Sequence, residues 1–185
     1  MKLVPFAVVL IALGACSTDP TLRYPVPAPA STEKIGISVG SVEVRDVNLP
    51  LYAELETISL EGAGGELTTD KNMLWADDPV RAVTQGLADA LSGLTRAQVA
   101  AEPWPLSDSP AARVEVRFSR ALAGADAQYR MSGQYFVAFP DGARRDVARR
   151  FDIAVPFAVA SPAGVAAAQG QAIAELARKI ARDGL

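Results

Sequence analysis

Three stretches in the second half of the chain alternate apolar and polar residues with the period of two that a half-buried strand requires. In the first, Val114, Val116 and Phe118 alternate with Glu115, Arg117 and Ser119. In the second, Tyr129, Met131, Tyr135, Val137 and Phe139 share one face. In the third, Val147, Phe151, Ile153, Val155 and Phe157 do the same. Pro140-Asp141-Gly142 separates the last two as a turn, because Pro presets φ and Gly supplies φ > 0. One apolar face per strand predicts antiparallel pairing.

Two other stretches carry the helical period. Asp78-Pro79 places a capping carboxylate before a proline at the first helical position. Val80, Val83, Leu87, Leu91 and Leu94 then fall on one face. Ser161-Pro162 repeats the device and opens a last helix. Its apolar face is Val165, Ala168, Ala172, Leu176 and Ile180, with Ile173 beside it. Lys179 and Arg182 near its C-terminal end suit the helix dipole.

The first half of the domain is less regular. Ile35, Ile37 and Val39 alternate, and Val42 and Val44 alternate one residue out of phase. A strand with a bulge near Gly40 accounts for the slip. Asn48-Leu49-Pro50-Leu51-Tyr52 reads as an apolar loop. Residues 54–60 and 65–69 flank Gly62-Ala63-Gly64-Gly65 as a hairpin. Gln98 to Ala101 reads as a short strand before Pro103-Trp104-Pro105. The pattern predicts a single α/β domain over residues 33–185. Its mixed or mostly antiparallel sheet of about five to six strands is covered by two helices.

The start of the chain is an address. Lys2 precedes an apolar run from Leu3 to Leu13, shorter than the roughly 20 residues that span a bilayer. Leu13-Gly14-Ala15-Cys16 follows, with the only cysteine of the chain directly after small residues. This resembles a bacterial lipobox. Residues 1–15 are then a signal peptide, and Cys16 carries the lipid on its sulfur and its new amino terminus. Acyl chains in that number anchor firmly. Ser17, where Asp would favour the inner membrane, points to the outer one. Pro20, Pro25, Pro27 and Pro29 make residues 16–32 a polyproline-like tether. It could reach on the order of 50 Å.

Composition removes whole classes of chemistry. The 185 residues include one Cys and no His. No His-assisted nucleophile, Cys/His zinc site or intramolecular disulfide is available. The net charge of −3 becomes more negative once Lys2 is cleaved away, which speaks against nucleic acid. Ser31-Thr32-Glu33-Lys34 matches S-x-x-K, but it ends the tether and its partner motifs are missing. Gly62 to Gly65 lacks the Lys and helix of a phosphate cradle. Asp77-Asp78 reads as a cap before it reads as a cation site. Arg144, Arg145, Arg149 and Arg150 would alternate on a strand and divide between its two faces. Trp75 and Trp104 read as core. No catalytic constellation, metal site or soluble cofactor is predicted, so the expectation is a non-enzyme.

Several weak motifs occur in a telling order. The lipobox at Cys16 and the Pro-rich stretch with Tyr24 come first. I-S-V-G-S-V (37–42) and L-P-L-Y (49–52) follow. Asn72-Met73-Leu74-Trp75-Ala76-Asp77 then runs into the Pro79 helix. Pro103-Trp104 and the amphipathic last helix complete the series. In this order the chain resembles the PqiC-like family of ABC-type transport auxiliary lipoproteins. The resemblance implies an anticodon-binding-domain-like α/β sandwich. It also implies partners: an MCE-domain protein and an ABC transporter that move lipid between two membranes. The lipoprotein would dock that conduit to the outer membrane from the periplasmic side and maintain membrane integrity. The resemblance leaves room for a homo-oligomeric ring.

Leu49, Pro50, Leu51 and Tyr52 are the candidate partner contact; the alternative is that this apolar loop only covers the sheet edge. Two other functions fit a leashed domain. One is a module that itself carries a lipid or small ligand in an apolar pocket of a few hundred Å³. The other is an assembly lipoprotein or an activator of a cell-wall synthase.

Overall fold

The computed structural model describes residues 20–28, 31–142, 144–158 and 161–185. Cys16, the expected lipidation site, lies outside the described residues. Among those described, eight strands and three helices form one α/β domain around an open mixed sheet. The sheet is larger than the five or six strands read from periodicity. The reason is that short strands such as β1 (Leu22–Tyr24) carry no measurable period.

The sheet is organised by β6 (Ala112–Ala123). One edge of β6 pairs along its length with antiparallel β7 (Gln128–Ala138), which pairs in turn with antiparallel β8 (Val147–Pro156). The other edge is shared. Its first half takes parallel β2 (Ser41–Val44), with parallel β5 (Gln98–Ala101) outside it. Its second half takes β3 (Thr57–Glu61) where Leu60 meets Ala123. β4 (Leu67–Trp75) folds back on β3, and β1 runs parallel to β4 as the outer strand.

The long strands alternate as their sequences require. Val114, Val116, Met131, Tyr135, Val137 and Val155 are almost fully buried on the helix side. Gly133 lies between Phe118 and Phe151 in register, and a side chain there would strike the Arg117 carbonyl. On the opposite face Arg117 pairs with Glu115 and stacks over Phe136 at 5.0 Å.

α2 (Pro79–Leu94) and α3 (Pro162–Asp183) cover the helix side. Asp78 accepts from the Arg81 amide and Ser161 from the Gly164 amide, so both caps form. α3 buries Ala166, Ala168, Ala172, Ala174, Ala177 and Ala181. Such small side chains let its backbone approach both the sheet and α2.

Two local expectations differ. Residues 35–39 are extended, with the isoleucines and Val39 inward, yet they are not a sheet strand. Their backbone is bonded to helix ends instead: the Ile35 amide donates to Leu94 and the Ser38 amide to Leu185. The orphan carbonyls that close a helix have captured the segment. The tether is also shorter than residues 16–32. Leu22 to Tyr24 are paired to β4, and Tyr24 and Val26 pack on the core.

Candidate functional site

The expected contact loop folds into a single helical turn, α1 (Leu51–Glu54). The amides of Ala53 and Glu54 both donate to the Pro50 carbonyl. A turn places residues three apart on the same side. Leu49 is therefore buried, and the half-buried Tyr52 turns its hydroxyl inward to accept from the Ala121 amide at 3.3 Å. Only Leu51 of the quartet is fully displayed, at 76 % exposure. Leu55, absent from the sequence-based selection, is 49 % exposed beside it. Of the four expected residues, the structure thus displays Leu51, with Leu55 next to it, and buries Leu49. The signal was legible as the i, i+4 spacing of a short helix, but the proline hid the helix.

Behind α1 lies a cavity of about 20 Å³ lined by Tyr52, Thr57, Ser59, Trp75, Tyr129 and Gln169. Gln169 is buried, and its Oε1 has no partner among the described residues. Burial pushes the Tyr129 phenol far above its ordinary value.

The remaining candidates resolve into structural roles. Ser31 accepts from the Glu33 amide, and Lys34 reaches the Gly93 carbonyl, so the S-x-x-K residues form no dyad. Gly62 and Gly65 close the β3–β4 turn, with Gly65 at φ 85°. Asp77 and Asp78 hold the start of α2, Asp77 by accepting from the Arg81 side chain. Trp75 is core, as expected. Trp104 is not: it is half-buried on a loop, donating from Nε1 to the Asp108 carbonyl at 2.7 Å.

The arginines are also redistributed. β8 begins only at Val147, so Arg144 and Arg145 precede the strand. Arg144 stacks on Phe139 at 4.5 Å and donates to the Leu185 carbonyl at 2.7 Å. It thereby ties the β7–β8 turn to the end of α3, a role that no sequence signal announced.

The N-terminal strap completes the surface. Arg23 donates to Glu56 and to the Trp75 carbonyl, and the Ala76 amide donates to Tyr24. Beyond Tyr24 the strap crosses α3 and borders a cleft of about 290 Å³ between α2 and α3. Gly86, Ala90, Gly93, Ala174 and Ile173 form its small or apolar walls. Among the described residues no group of three His, Cys, Asp or Glu side chains is placed to hold a metal. No helix among them is long and apolar enough to cross a membrane.

The family described as the ABC-type transport auxiliary lipoprotein component matches residues 21–181, from the strap to the end of α3. The chain belongs to this family. It is thus an auxiliary lipoprotein of ABC-type transport, a class that points away from enzymes. Two solved structures share the fold of this auxiliary lipoprotein. One is a protein described as uncharacterised, with a TM-score of 0.68 and 15% identity over 89% of this chain and 99% of its own. The other is from Xanthomonas campestris, with a TM-score of 0.67 and 15% identity over 86% of this chain and 92% of its own. At that identity they establish the fold alone. No curated protein matches the chain.

Proposed function

We propose that this auxiliary lipoprotein is anchored in the outer membrane through lipidated Cys16. There it docks the periplasmic end of an MCE-type lipid conduit driven by an ABC transporter. The family match over residues 21–181 carries the reading. Two features support it. The strap begins so close to Cys16 that the domain is tied to its anchor rather than hung on a long leash. Leu51 and Leu55 give α1 an apolar contact that the domain's own packing does not use.

The test is crosslinking in native membranes followed by identification of the captured protein. An MCE-domain protein or an ABC-transport subunit is expected. Leu51→Asp with Leu55→Asp should abolish the capture and leave the melting curve in place. Capture that survives this pair of changes would refute α1 as the contact. Cys16→Ser should give a folded domain in the soluble fraction; membrane retention of that variant would refute the anchor.

The cleft between α2 and α3 favours a second reading, a module that carries a lipid or small ligand itself. Stoichiometric lipid extracted from the purified, delipidated Cys16→Ser domain would support it.

A further inference from the structure

β1 runs parallel to β4, with Leu22 beside Met73 and Tyr24 beside Trp75. The direction of β4 therefore fixes the side from which the chain arrives. Followed backwards from Leu22, the chain points along β4 toward Leu67 and the hairpin turn. α1 lies beyond the other end of β3. Fully extended, the chain from Cys16 to Leu22 spans at most about 20 Å. β4 from Met73 back to Leu67 covers about the same distance. A lipid on Cys16 is attached within about 20 Å of Leu22.

That end of the domain does not resemble an ordinary water-facing turn. Leu22, a hairpin length away beside Met73, is 48 % exposed, and at the tip Leu60 and Leu67 are 37 % and 43 % exposed. Leu60 sits opposite Thr68 and Leu67 opposite Glu61, so the last two leucines stand on opposite faces of the hairpin. A largely apolar cleft of about 370 Å³ opens on the Leu60 face, walled also by Ile58, Met73, Phe157 and Val165. The charges nearby are acidic on balance. Glu61 is paired with Arg120, and the hairpin carries Glu66 and Asp70 against one Lys71. Like charge disfavours an anionic surface, whereas a zwitterionic one presents no such repulsion.

We infer that the β3–β4 hairpin rests in a zwitterionic phospholipid surface beside the acyl anchor, with Leu60 and Leu67 as its apolar contacts. α1 then faces away from the bilayer, where a partner can reach it. This inference rests on the proposed lipid anchor. Two half-exposed leucines would bind a vesicle weakly alone. The anchor supplies the effective concentration that makes so small a contact persist.

The full-length lipidated protein in phosphatidylcholine vesicles provides the test. The vesicles carry a fraction of lipid with brominated acyl chains as a quencher. Because Cys16 is blocked, one new thiol can carry a fluorophore, at Ala63→Cys in the tip or at Glu54→Cys on α1. The tip label should be quenched several-fold more than the α1 label. Leu67→Ser should at least halve the tip signal while the protein still floats with the vesicles. Exchanging half the lipid for phosphatidylglycerol should lower it as well, and a rise there overturns the zwitterionic assignment. Equal quenching at the two sites, or an unquenched tip on floating protein, overturns the hairpin contact and leaves the anchor standing. Protein that does not float at all overturns both. Docking to an MCE protein plays no part in this readout, so its failure would be seen separately.

Discussion

Gly170 of α3 lies directly against the backbone of Pro27: a side-chain carbon at residue 170 would stand 2.0 Å from the Pro27 oxygen. The contact fixes the strap to the helix layer, and with it the distance between anchor and domain. Gly170→Ala should displace the strap at a cost of roughly 1–3 kcal/mol. Limited proteolysis should then cut residues 20–28 faster than in the native protein. Gly93→Ala is the control, since nothing lies within 4 Å of the added carbon. It should leave the strap in place and raise stability by about 0.5–1 kcal/mol.

Leu49 and Leu51 differ by two positions and have opposite fates. Leu49→Ala should cost about 2–5 kcal/mol in urea unfolding, as for other buried leucines. Leu51→Ala should stay within about 0.5 kcal/mol. Equal losses would mean that α1 packs differently from the turn described above.

Phe118 and Phe151 meet edge to face, their ring centroids 5.4 Å apart, across the bare Gly133 backbone. Phe151→Ala should destabilise by about 3–5 kcal/mol. A double-mutant cycle with Phe118 should return a coupling of roughly 0.5–1.5 kcal/mol. Additive losses would show that the two rings act independently.

Gln169 is buried in α3 with Oε1 unpaired among the described residues. A buried polar atom without a partner carries its desolvation cost uncompensated. Gln169→Met should accordingly hold or raise the denaturation midpoint. A loss above about 1.5 kcal/mol would instead reveal a bonded water in the adjoining cavity.

Acid dependence has one local source on the β6–β7 turn. The Arg130 guanidinium beside Asp126 holds its carboxyl down at about 2. An unfolded chain would titrate it near 3.9. A carboxyl whose folded value is depressed contributes in full above the unfolded value and loses that contribution as pH falls through the folded one. The Asp126 contribution should therefore fade between about pH 4 and pH 2. Asp126→Asn should remove it from the acid unfolding curve, and added salt should shrink it because the pair is exposed.

What the sequence could determine was whatever depends on neighbours along the chain. The Asp78 and Ser161 caps, the face of α2 and the alternation of β6, β7 and β8 are set by spacings within a few residues, and each formed as read. Tertiary structure decided what depends on distant partners. Residues 35–39 became an extended segment because the carbonyls at the ends of α2 and α3 needed donors. The Pro-rich tether became a strap because β4 offered a free edge and Gly170 a gap. Arg144 became a clamp because the β7–β8 turn lands beside Leu185. No period or motif encodes such meetings, since the groups involved are brought together only when the whole sheet and both long helices are in place.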